Sequence, residues 1–124
     1  MNHASNASAN ALVIRSIEGT HSRGDFLIKP LLKGDHMSLL EVHLQPGVAS
    51  ATHAHAHESL IYVVRGRLRT TIGSEIALLG PGDAGRHPAN VAHSVEALGE
   101  TLFVEVKSPA PDTGSFLTPG PSAD

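Results

Sequence analysis

The stretch that decides the fold is Gly47-Val-Ala-Ser-Ala-Thr-His53-Ala-His55-Ala-His57-Glu-Ser59-Leu-Ile-Tyr-Val-Val-Arg-Gly66. His53, His55 and His57 are spaced two apart, and residues two apart share one face of an extended strand. Their imidazoles can therefore enter one space, and neutral imidazole is the commonest protein ligand for Zn, Fe, Cu and Ni. A hydrophobic run, Leu60 to Val64, follows at once and ends at Gly66. The segment is a candidate metal site at the rim of a β-structure.

Composition supports that frame. A chain of 124 residues suits one domain, and 40% hydrophobic residues suffice for one core. Aromatics are 3%, so Leu, Val, Ile and Ala must fill that core. A formal charge of −3 with no basic block argues against nucleic acid as a partner. With no cysteine, any metal site must use His, carboxylate or water. No apolar run approaches a membrane span, and residues 1–10 lack a basic start followed by an apolar stretch. The expectation is a soluble cytoplasmic protein with no membrane association.

Outward from the histidines, residues 1–11 are small and polar without period, and are expected to be disordered. Residues 12–107 hold nine or ten short β runs separated by Gly, Pro and Asp turns, with no sustained helical period. Phe26–Leu32 is apolar and broken at Pro30, so it suits an edge strand or a bend. Ser38, Leu40, Val42 and Leu44 share one face of the next strand. Ala49 to His55 is expected to be extended. Residues 108–124 form a Pro/Gly-rich tail. Alternation with one polar face points to antiparallel sheets in an all-β sandwich or barrel.

A second histidine motif, Pro88-Ala-Asn90-Val-Ala-His93, follows the Gly80-Pro-Gly-Asp83 turn. In a closed barrel its strand can lie beside the first and aim His93 at the same point. The two motifs together resemble the cupin superfamily. The first cupin motif is a Gly, five residues, His-x-His, three or four residues, Glu, six residues, Gly; here Gly47, His53, His55, Ser59 and Gly66 stand in those places. The second is a Gly, five residues, Pro-x-Gly, two residues, His, three residues, Asn; here Gly82, Pro88, Asn90, His93 and Ala97 stand in them. The nearest flavour is the small single-domain type found among the cupins of pectin and uronate degradation.

The resemblance implies a single-domain jelly-roll β-barrel and a homodimer, with Leu12–Leu32 as a segment for exchange between subunits. It implies a divalent metal, with Fe, Zn, Ni, Cu and Mn all open, on His53, His55 and His93. The family's fourth ligand falls on Ser59, a poor donor to a divalent metal, so the expected site has three histidines. Glu58 should face away, and His57 is placed behind the ligands. His57 and His87 are the candidate catalytic residues, His87 because it shares a face with Gly85 that can look into the barrel. Arg67 and Arg69 should form a solvated outer face, and Tyr62 a core or dimer contact. Alternation puts Leu40, Val42, Ile61, Val63, Leu68, Thr70, His87, Val95 and Phe103 in the barrel lining. A three-histidine centre with open positions suits a dioxygenase of diketones or phenolic compounds. The alternatives are an isomerase or lyase of sugar acids, and a non-catalytic cupin that holds a small ligand or metal.

Overall fold

The computed structural model describes residues 2–109, and the tail beyond Pro109 lies outside the described residues. Nine strands make up more than half of it: β1 (Leu12–Ile17), β2 (Thr20–Lys33), β3 (Ser38–Leu44), β4 (Glu58–Arg65), β5 (Leu68–Ile72), β6 (Glu75–Leu79), β7 (Ala84–His87), β8 (His93–Ala97) and β9 (Thr101–Ser108). They form a six-stranded sheet in the order β1-β2-β3-β9-β4-β7 and a three-stranded sheet in the order β6-β5-β8. Every strand pair is antiparallel. This is the expected all-β jelly roll. In the segment read as disordered, Asn6–Ser8 forms one 3-10 turn. Asn6 Nδ2 there donates to Glu41 at 2.7 Å, and Lys29 Nζ donates to Asn6 Oδ1 at 2.9 Å.

Alternation along the strands builds the core. On β3, Ser38, Leu40, Val42 and Leu44 turn inward; on β4, Ser59, Ile61 and Val63 do, while Leu60, Tyr62 and Val64 face out. All nine residues expected in the barrel lining are buried. Tyr62 is not among the core residues: it is 51% exposed. The turn at Gly66 between β4 and β5 depends on its lack of a side chain. Its φ is +92°, and an added Cβ would lie 2.3 Å from the Glu100 carbonyl oxygen.

One local expectation holds and one is corrected. Pro30 lies in β2 where that strand is an edge and bulges, as expected. β1 reaches only as far as Ile28 and a register shift follows Pro30 in the pairing with β3, so the missing N–H interrupts no regular ladder. Ala49 to His55 forms no continuous strand. It is held by isolated bridges, Arg23 to Ala49, Ala49 to Glu96 and His53 to His93, and this segment carries the histidines to the mouth of the barrel.

Candidate metal centre

The His53–His93 bridge ties the two histidine motifs together. The His93 N–H donates to the His53 carbonyl at 2.8 Å, and the His53 N–H to the His93 carbonyl at 2.9 Å. Below them the Asn90 N–H donates to the His55 carbonyl at 2.8 Å. Asn90 has a φ of +63°, a left-handed conformation that Asn tolerates better than most residues, so it serves where the cupin pattern has Gly. This backbone clamp brings His53, His55 and His93 together. One ring nitrogen of each lies within 4.8 Å of those of the other two.

The rings are set for ligation. Each Nδ1 lies against a backbone carbonyl: His53 on Ala51 at 2.8 Å, His55 on His57 at 2.8 Å and His93 on Val91 at 3.0 Å. A carbonyl oxygen can only accept, so each Nδ1 carries the proton and each Nε2 keeps its lone pair. Outer hydrogen bonds of this kind fix tautomer and ring orientation in metal-binding histidines. Burial pushes the His93 imidazole down to about 4, partly offset by the bond to Val91, with His53 and His55 adding to the fall. Burial also lowers His55, against the raising effect of its bond to the His57 carbonyl. Nε2 lone pairs left free by these outer bonds are what a divalent metal requires.

His57 does not join this group. Its ring stacks on His55 at 3.7 Å between centroids, and its Nε2 accepts from Lys107 Nζ at 3.3 Å. That nitrogen is thereby committed to an ammonium. Burial first, and then the Lys107 charge, lower His57 to about 3. The expectation that a regular strand puts all three histidines on one face fails because this segment is no regular strand. Glu58 faces away as expected, and Arg86 donates to it at 3.1 Å. Arg69 lies on the outer face, with Glu96 2.8 Å away.

His87 lies inside the barrel, stacked on His93 at 4.2 Å. Its Nε2 is 2.8 Å from the Thr70 hydroxyl and its Nδ1 3.5 Å from the Ser59 hydroxyl. Burial, followed by the neighbouring His93, pushes it down to about 4. Ser59, in the place of the family's fourth ligand, is fully buried among these groups.

Two charged residues on β9 also line the site. Glu105 and Lys107 on β9 turn inward, and Lys107 Nζ donates to Glu105 Oε2 at 3.0 Å with the lysine side chain only 2% exposed. Burial alone would raise Glu105; the Lys107 charge and hydrogen bond, with His87 and the Ser59 hydroxyl, outweigh it and hold the carboxyl below its usual range. The signal was present. Phe103 was placed in the lining, and the same period of two carries that face on to Glu105 and Lys107. Both line one cavity with His53, His55, His87 and His93, whose other wall is Ile17, Phe26, Ile28, Val42, Val95 and Phe103.

Comparison with known proteins agrees with this fold. An uncharacterised protein of Streptomyces coelicolor is 27% identical over 103 residues, covering 83% of this chain and 98% of that one. The solved structure of KdgF from Halomonas sp. superposes with a TM-score of 0.78 at 23% identity, over 90% of this chain and 96% of that one. An RmlC-like cupin from Shewanella frigidimarina gives 0.76 at 20% identity, over 90% and 94%. The sequence model of the cupin domain matches residues 40–106, a span that contains both histidine motifs and the strands that close the barrel around them, and the chain belongs to the cupin family.

Proposed function

We propose that this cupin is a metal-dependent enzyme that acts on a small oxygenated metabolite, and that its reaction is the oxidative cleavage of a diketone or phenolic compound by dioxygen. The observation that carries the reading is the convergence of His53, His55 and His93, lone pairs free, beside an apolar wall. Bound there, a divalent metal would supply Lewis acidity and, as iron, a means of activating dioxygen. The chain's own residues do the rest. Phe26, Ile28, Val42 and Phe103 pack against the hydrocarbon part of the substrate and exclude water. His87, neutral at pH 7 and exposed to the cavity, accepts a proton from the bound substrate. His57, outside the cavity lining, positions His55 by stacking on it and by accepting its Nδ1–H at the backbone carbonyl.

A second reading, an isomerase or lyase of sugar acids, draws on the Glu105–Lys107 pair and His87, which are groups suited to hold and move protons. A metal-reconstituted sample given pentane-2,4-dione or catechol in an oxygen electrode separates the two. Oxygen uptake that depends on both iron and substrate supports the dioxygenase. Turnover of a sugar acid without oxygen uptake supports the second reading, and tight binding without turnover makes the protein a ligand-holding cupin.

The homodimer is also part of this proposal. Leu60, Tyr62 and Val64 make an apolar row on the outer face of β4, inside the six-stranded sheet, with Leu60 52% exposed. A second copy covering this row is expected to sediment as a dimer, and Tyr62→Asp as a monomer. A wild type that sediments as a monomer contradicts it.

A further inference from the structure

Three neutral imidazoles bring no negative charge to a bound cation. Position 59, where the cupin pattern has an acid, holds a hydroxyl. Among the described residues the acid that lines the cavity is Glu105, and its charge is already matched by Lys107 at 3.0 Å. The strand register explains the placement: Lys107 lies opposite Ser59 and Glu105 opposite Ile61, so the pair occupies the wall next to the vacated acid position. With the pair intact, the wall contributes no net charge, and a divalent cation on the three histidines keeps its full double charge in a poorly screened space.

We propose that the Glu105–Lys107 pair sets the charge of the cavity, so that the loaded centre selects ligands that bind as oxygen anions, as enolate, phenolate or carboxylate. This deepens the functional reading above and rests on its three-histidine site. Lys107 is in this account a positioning residue: it acts through Glu105 by keeping that carboxylate from offsetting the cation. The neutral form of the same substrate binds less well because it leaves the double charge uncompensated.

The test uses the full chain loaded with Co(II). Metal affinity is read by competition with a chelator, and azide affinity from the visible spectrum. Lys107→Met removes a positive charge from the wall, so Co(II) should bind about tenfold tighter or more and azide about tenfold weaker or more, the scale of one unit charge acting across the cavity at an effective dielectric constant of about 20. Glu105→Gln should move both affinities the opposite way. The double variant should return both to within about threefold of wild type. A merely structural role cannot give this pattern, because loss of packing weakens both affinities in both single variants. Should Lys107→Met fold poorly, Glu105→Gln still carries the sign test on its own. Co(II) binding with azide affinities that do not respond to either charge overturns the assignment alone. A wild type that binds no Co(II) overturns the three-histidine reading and this inference with it.

Discussion

Lys107→Met probes the least expected feature of this barrel, an ion pair in its wall. The lysine side chain is 2% exposed and the Glu105 side chain 12%, so solvent screens neither. Methionine keeps most of the apolar stem, which limits the packing loss. What remains is a carboxylate without its partner. Breaking a buried pair in this way costs about 3–5 kcal/mol, whereas removing both charges is close to neutral. Urea unfolding of the metal-free protein at pH 7 should therefore give a loss of about 3–5 kcal/mol for Lys107→Met and much less for Lys107→Met with Glu105→Gln. The pH dependence follows from the depressed Glu105 carboxyl. In the wild type its contribution is present above the unfolded carboxyl value of about 4.3 and is lost as pH falls through the lower folded value. Without the ammonium, burial raises the same carboxyl instead. The deficit of the variant is then largest at neutral pH and shrinks as the pH approaches about 4.5, where the protonated acid carries no charge. A loss at pH 7 below about 1 kcal/mol, or a deficit that persists unchanged in acid, refutes the reasoning.

His93→Ala should weaken Zn(II) or Co(II) binding at least about 100-fold, while His57→Ala, which leaves all three Nε2 donors in place, should stay within about tenfold of wild type by chelator competition. Because burial holds His93 at about 4, its imidazole should stay neutral from pH 7 down to about 5 in the metal-free protein, read from its ring resonances by NMR; a midpoint near 6.5 contradicts that burial effect. Gly66→Ala combines a φ of +92° with a 2.3 Å approach to the Glu100 carbonyl and should cost about 3 kcal/mol or more in urea unfolding.

Much of this molecule is legible in its sequence because two signals are local. Period-two alternation assigns inward faces once a strand is recognised, and Ser38 to Leu44 and Leu68 to Thr70 needed nothing more. The resemblance of the two motifs to the cupin pattern points to His53, His55 and His93, and the backbone bonds of Asn90 and the His53–His93 bridge bring those three together. What spacing alone leaves open is decided by neighbours far away in the chain. His57 stacks on His55 yet stays out of the ligand set, because the ammonium of Lys107, fifty residues on, takes its Nε2. Glu105 and Lys107 are hard to place from the sequence because charged residues mostly face solvent. On β9 the apolar Leu102, Val104 and Val106 lie on the outer face, while the charges are tolerated inside because each satisfies the other.

Whether His53, His55 and His93 hold a metal is read by elemental analysis of the purified full chain, after exposure to Fe, Zn, Ni, Cu and Mn and removal of loosely held ions. The wild type should retain about one equivalent of one such metal per chain, and His93→Ala should lose it. Wild-type protein that retains no metal, or a His93→Ala variant that retains as much as the wild type, contradicts this expectation.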